Sequence, residues 1–283
     1  MPDTHPNIPS LKVLTGAAIA PLLIRPLQTE SVAIAASTYM EIRDESISFP
    51  IITTDPSASW VAENEEIPMS EAAGASINIK PTKLAGLTHI SNEIANDSNP
   101  TAAGIAGLAL ARDIAKKIDA AFFGPESANV VQQSGLESIP TGEFTHIDAN
   151  PATSLEAWVD ALAAAEAVGT EPSTWVTDPA TAQALAKLKT GTGSNVFLLG
   201  QGAENGPSRQ VLGVPLVVSP YVLPGTVWGI PRDRSMIIMR ERAEIAVDKS
   251  FRFGFDQTVI RAVCRVGFGF PHAAGIVKIT KTP

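Results

Sequence analysis

Apolar and polar positions alternate most clearly in two runs near the start of the chain. Glu41-Ile-Arg-Asp-Glu-Ser-Ile-Ser-Phe-Pro-Ile-Ile52 sets Ile42, Ile47, Phe49 and Ile51 in partial alternation and reads as one strand. Ala75–Leu84 sets Ile77 and Ile79 against Asn78 and Lys80 and reads as the returning strand. Between them lies a long connection with Asp55-Pro56, Ala58-Ser-Trp-Val61 and Glu63-Asn-Glu-Glu-Ile-Pro68. A long two-stranded ribbon is marginal alone in water. It needs a partner surface, which points to an oligomer. Ile47, Phe49, Ile51, Trp60, Ile77 and Ile79 are therefore expected to be buried between subunits. The carboxylates Glu63, Glu65 and Glu66 are expected in a solvated tip or in an electrostatic contact with a neighbour.

The period then changes from two to about 3.6. Ile105, Leu108, Ala111, Ile114, Ile118 and Phe122 recur at spacings of three and four, one apolar stripe along a long helix. Asn99 is placed to cap it, Pro100 suits its first turn, and Gly124-Pro125 ends it. Residues 151–240 alternate helical and strand patterns. Thr153-Ser-Leu-Glu156 has the capping-box spacing and opens a helix through Ala167, stopped by Gly169. A strand at Ser173–Thr177, a helix from Asp178-Pro179 to Gly191, a short Val196–Leu199 strand in a Gly-rich loop, and strands at Val214–Ser219, Thr226–Ile230 and Ser235–Arg240 follow. Three strand-like runs close the chain, at Glu244–Val247, Thr258–Phe270 and Gly275–Thr280. Residues 1–36 contain prolines at 2, 6, 9, 21 and 26 and read as an extended arm, disordered or laid across a neighbour.

Composition narrows the function classes. The chain has 283 residues, 45% of them hydrophobic and 18% charged, enough for a real core. Its net charge of -8 argues against a protein that grips nucleic acid over a broad face. The one cysteine, Cys264, excludes an internal disulfide and any Cys-pair zinc site; in Val259–Val266 it reads as a small core residue. No apolar stretch reaches the ~20 residues that span a bilayer. Val13–Ile24, the nearest, contains Gly16 and Pro21 and stops at Arg25-Pro26. The expectation is a chain that stays in a cytoplasm until it assembles.

No catalytic constellation emerges. His5, His89, His146 and His272 are scattered, without metal-ligand spacing. There is no Gly-x-Ser-x-Gly elbow. Gly191-Thr-Gly-Ser194 has no lysine after it, as a phosphate loop requires, and Gly200-Gln-Gly202 lacks dinucleotide spacing. Glu63, Glu65, Glu66 and Glu71 lack the regular oxygen spacing and sharp glycine turn of a calcium loop. The expectation is no enzyme, no cofactor and no metal.

The order of short strings adds to this. Trp60-Val-Ala-Glu63, Ile67-Pro68-x-Ser70, Ile77–Lys80, Lys83-Leu-Ala-Gly-Leu87, Ile90-Ser-Asn-Glu-Ile94 and Asp97-Ser98 together resemble the major capsid proteins of tailed phages with the Hong Kong 97 fold. The ending Arg265-Val-Gly-Phe-Gly-Phe-Pro-His272 is similar to that family's close. Each string is weak alone; order and spacing over residues 37–283 carry the resemblance. It implies an α+β fold with an N-terminal arm (1–36), an extended E-loop hairpin (37–86), and a peripheral domain (87–150) with its spine helix (99–123). It further implies an axial domain (151–240) and return strands of the peripheral domain (241–283).

The resemblance also implies a function. Copies would form hexamers and pentamers of an icosahedral head around double-stranded DNA, bound without sequence specificity and with no membrane. A separate scaffolding protein and a portal are the implied partners, a decoration protein is left open by the sequence, and the virion is the implied location. Two departures matter. Some members cross-link covalently through a lysine near the E-loop tip, whereas no lysine lies between Glu41 and Lys80 here, so no such cross-link is expected. The arm is also shorter than the cleaved scaffolding extension of some members, so either a separate scaffolding protein acts or none is needed. The rival readings are an encapsulin-type nanocompartment shell, which resembles the same fold, and a soluble α/β enzyme.

Overall fold

In a computed structural model of the chain, residues 31–54, 56–71, 73–93, 102–125, 131–191, 194, 196–199, 209–240 and 244–281 are described. The elements, in chain order, begin with α1 Val32–Ala36, β1 Thr38–Ile42, β2 Ile47–Thr54, β3 Ala73–Ile79, β4 Thr82–Ser91 and α2 Ala102–Phe123. There follow β5 Thr145–Asp148, α3 Glu156–Ala167, β6 Thr174–Thr177, α4 Pro179–Ala186, β7 Gln210–Val211 and β8 Val214–Val218. The last are β9 Thr226–Ile230, β10 Met236–Arg240, β11 Glu244–Arg252, β12 Gln257–Gly269 and β13 Val277–Thr280. Asn99 and Pro100 lie outside the described residues, as do residues 1–30.

The chain divides into two compact units. One takes the described parts of 84–115 and 241–264, and the other those of 31–83, 116–240 and 265–283. Both α2 and β12 contribute a stretch to each. In the first unit β11 pairs antiparallel with the first half of β12, from Glu244↔Val263 to Arg252↔Gln257. β4 also pairs with β12. Ala111, Ile114 and Ala115 of α2 are buried, whereas Ile105 and Leu108 are 57% and 45% exposed. The apolar stripe is real, but its N-terminal half is left open by the described residues.

The second unit holds two sheets. In one, β1 runs parallel to β10, and β10 runs antiparallel to the second half of β12. In the other the strand order is β5-β13-β9-β6-β8-β7, with α3 among its core elements. Trp158 and Trp175 fill that core edge-to-face, centroids 5.1 Å apart. Both indole N–H groups are satisfied, donating to Pro151 O at 3.0 Å and Val211 O at 3.3 Å. Gly229 makes room: a Cβ there would lie 2.3 Å from Cζ3 of Trp175. The last turns of α2 wedge Phe122 edge-on against Phe123 and Phe268, at 4.9 and 5.2 Å. Burying such a ring is worth about 1.5–3 kcal/mol, and each edge contact about 0.5–1.5 kcal/mol more.

Several boundaries differ from the sequence reading. Glu41–Ile52 is not one strand. The polar Arg43-Asp-Glu-Ser46 stretch breaks it, so β1 joins the β10 sheet while β2 pairs with β3. The capping box at Thr153 does not form. The Thr153 hydroxyl donates to Asn150 O in the preceding turn, and α3 starts at Glu156 behind Leu155 with no side-chain cap. The Gly169 stop does form, with φ +73°. Its N–H donates to Glu166 O, and that of Thr170 to Ala165 O. α4 is capped by Asp178, which accepts from the N–H groups of Ala180 and Thr181, and ends at Ala186, not Gly191. At 196–199 only a single bridge, Lys189↔Phe197, appears in place of a strand. β11 extends to Arg252, five residues beyond the expected Val247.

Candidate assembly surfaces

The ribbon is largely exposed, and burial divides it in two. At its base, register pairs Ile47 with Ile79 and Phe49 with Ile77. Ile79 is 3% exposed in a cluster with Ile42 and Ile238, and Ile47, Phe49 and Ile77 pack against that cluster. Gly267 and Gly269 of β12 create the seat. A Cβ on Gly269 would come within 2.0 Å of Ile79 Cδ1. The expectation that Ile79 is buried by a neighbour is therefore corrected: this chain buries it. The same cluster half-covers Ile47, Phe49 and Ile77. The Lys80–Glu45 ion pair at 2.8 Å also spans the base; both side chains are about two-thirds exposed, so it adds little.

The ribbon's far end is different. Residues 56–71 have no regular structure beyond a turn at Glu63–Glu65. Trp60 is fully exposed, Met69 is 94% exposed and Ile67 78%. Glu63, Glu65 and Glu66 stand in solvent beside them, and Ile51 is half-buried. Three large apolar side chains, Trp60, Ile67 and Met69, thus stand exposed within ten residues.

A second exposed apolar group lies in the first unit, at the end of the β11–β12 hairpin. Phe251, Phe253 and Phe255 are 72%, 85% and 74% exposed. The alternation Phe251-Arg-Phe-Gly-Phe255 carries the signal for it, which the strand reading of 244–247 stops short of. The neighbouring Asn92 fixes this end. Its Nδ2 donates to Asp256 Oδ1 at 2.7 Å, its N–H donates to Asp256 O at 3.0 Å, and its Oδ1 accepts from the Thr258 hydroxyl.

The interior offers little for chemistry. Among the described residues no three of His, Cys, Asp and Glu converge to hold a metal ion. His89, His146 and His272 are exposed. Cys264 is buried, and burial pushes its thiol up to about 12, so it is not a thiolate at neutral pH. Lys278 is paired with Glu137 at 2.6 Å, and its Nζ lies 5.0 Å from the centre of the Trp228 ring, a mostly buried ion pair inside the sheet. Asp119 was not singled out in the sequence. It sits on the buried side of α2, 4% exposed. Its carboxylate accepts from the Ser31 hydroxyl at 2.6 Å and from the N–H groups of Ala33 and Val32 at 3.0 and 3.1 Å. It thus caps α1 from 86–88 residues away. Burial raises its pKa, against the pull of those three donors.

Comparison with known proteins agrees with this picture of a shell component. Among curated proteins no sequence matches. Solved structures do match. The capsid of an empty GTA particle, computed with C5 symmetry, superposes with a TM-score of 0.72 at 16% identity, covering 100% of this chain and 95% of that one. A chain from Microbacterium phage Oxtober96 gives 0.69 at 16% identity, covering 89% and 91%. One from Mycobacterium phage Bobi gives 0.67 at 17% identity, covering 100% and 96%. At such identities the likeness establishes the fold. The family model described as the phage capsid family matches residues 13–281. With that match running over nearly its whole length, the chain belongs to the phage capsid family and is a major capsid protein.

Proposed function

We propose that copies of this chain assemble as hexamers and pentamers into an icosahedral head that encloses the double-stranded DNA of a tailed phage. The observation that carries the reading is the split ribbon. Its base is packed into its own subunit, while its tip presents Trp60, Ile67 and Met69 to solvent, with none of the described residues covering them. A surface of that kind is completed by a neighbour, and symmetry repeats the contact around the shell. Ile51, Trp60, Glu63, Glu65 and Glu66 are the contact residues of this reading. The net charge of -8 suits a wall that must not adhere to the DNA it surrounds.

In this reading the ribbon is the E-loop, α2 the spine helix, 151–240 the axial domain, and 87–150 with 241–283 the peripheral domain. The chain has a structural role and no catalytic one. It resides in the host cytoplasm before assembly and in the virion afterwards. A scaffolding protein and a portal act with it during assembly, and a decoration protein is a further partner. Negative-stain electron microscopy of the purified protein tests the reading. Closed shells or hexamer–pentamer sheets are expected; a uniform small oligomer would refute it. Shells purified from infected cells should contain double-stranded DNA. Shells filled with enzyme would instead identify a nanocompartment.

A further inference from the structure

Asp119 and several exposed residues before it share one side of α2. At about 100° per residue, Leu108 lies about 20° and Ile105 about 40° around the helix from Asp119. Arg112 and Lys116 stand on the same side, within about 20° and 60°, while Asp113 is turned about 120° away. Ile105 and Leu108 are 57% and 45% exposed, and Ala109 beside them is exposed as well. Ala111, Ile114 and Ile118 are buried. The open strip of the helix is thus apolar at its N-terminal end and basic where it approaches Asp119.

At Asp119 the chain is pinned to this strip. The carboxylate accepts from the Ser31 hydroxyl at 2.6 Å and from the N–H groups of Ala33 and Val32 at 3.0 and 3.1 Å. The residues before Ser31 therefore set out from a fixed point on the helix. Leu108 lies about 17 Å from Asp119 along the axis and Ile105 about 21 Å, at about 1.5 Å per residue. An extended chain spans that distance in about five to six residues. Counted back from Ser31, this reaches Pro26 and Arg25, flanked by Leu27 and by the apolar run Leu22-Leu-Ile24. Pro26 biases Arg25 away from helix, which suits an extended path. Glu30, next to the anchor, falls near Lys116, of opposite charge.

We propose that residues 22–27 of the same chain cover the open apolar strip of α2, with Asp119 as the positioning residue that sets their register. Leu22, Leu23, Ile24 and Leu27 supply the covering side chains, and Ile105, Leu108 and Ala109 receive them. The short tether decides the occupant. A segment held about six residues from its seat acts at millimolar effective concentration, whereas a separate chain must bind from dilute solution. The contact lies within one subunit, so it goes beyond the capsid reading and does not depend on it.

The test uses the full chain as unassembled subunits. A photo-crosslinking amino acid replaces Leu108 in an equal mixture of isotopically heavy and light copies. Cross-links from this position to residues 22–27 are expected, joining heavy to heavy and light to light only. In parallel, hydrogen exchange compares the wild type with the Leu22→Ser/Leu23→Ser/Ile24→Ser triple variant. Amides of Ile105–Arg112 should exchange about tenfold faster in the variant, with those of Trp158 and Trp175 unchanged. Cross-links that join heavy to light, or none to residues 22–27, would overturn the proposal. So would exchange at Ile105–Arg112 that is the same in both proteins. Wild-type protein that shows these cross-links but forms no shells would overturn the capsid reading and leave this inference standing.

Discussion

Trp60→Ala separates the stability of the subunit from that of the shell. The indole is fully exposed, so its removal deletes no contact within the chain. Surface changes of this kind shift folding stability by about 0.5 kcal/mol or less. A neighbour that covers half of a ring of ~200 Å² removes about 100 Å² of apolar surface from water. At ~25 cal/mol per Å² this is about 2.5 kcal/mol, or roughly 70-fold in the equilibrium constant of each contact. Symmetry repeats the loss in every copy. Assembled particles are titrated with guanidinium chloride while light scattering reports dissociation and circular dichroism reports unfolding. Trp60→Ala should move the scattering transition to lower denaturant and leave unfolding of the isolated subunit in place. Trp158→Ala is the control. That ring is fully buried, hydrogen-bonded to Pro151 O and packed on Trp175, so its loss should cost the subunit fold about 3–5 kcal/mol. If Trp60→Ala lowers both transitions equally, or neither, a neighbour does not cover the indole.

Three further outcomes follow from particular residues. The folded-state pKa of Asp119 is raised by burial, so the folded chain holds that proton more tightly than the unfolded chain. Stability from this site is therefore gained as pH falls through the folded value, and Asp119→Asn, fixed neutral, loses that dependence. On acidification the denaturation midpoint of wild type should rise relative to that of Asp119→Asn; a difference constant with pH would contradict it. Leu212 sits at φ 52° in the two-residue turn before Gly213, where a branched L side chain is strained. Leu212→Asn should raise subunit stability by about 0.5–1 kcal/mol in thermal unfolding, and an unchanged or lower melting temperature would count against strain there. With no lysine between Glu41 and Lys80, boiled particles should run on a denaturing gel as one band near 29.7 kDa, and a ladder of multimers would show a cross-link.

The sequence made the elements more legible than their partners. The 3.6-residue period of α2 correctly marks an apolar face from Ile105 to Phe122. It says nothing of what covers that face, and in this chain Ile105 and Leu108 remain exposed while Ile114, Ile118 and Phe122 are buried. Alternation likewise located the ribbon strands. It did not show that Ile79 would meet Gly267 and Gly269, nearly two hundred residues later, because a glycine seat has no periodic signature. The strand break at Arg43–Ser46 lies in a polar stretch too short to override the alternation on either side. The capping box at Thr153 fails because a local turn from Asn150 takes the hydroxyl first, a competition that spacing alone does not resolve. Asp119 was hidden for a related reason: it interrupts an apolar face, and its three donors come from residues 31–33. Of the assembly surface, Trp60 and the glutamate tip were readable as an unpartnered loop. The phenylalanine end was missed because β11 runs five residues past its apolar start.

The central claim is that residues 56–71 are completed by another copy. A cryo-electron microscopy reconstruction of assembled particles tests it most directly. The account predicts ordered density for 56–71 lying on an adjacent subunit, with Trp60 covered by that neighbour. Particles in which 56–71 folds back onto its own subunit, with Trp60 facing solvent or its own chain, would contradict it.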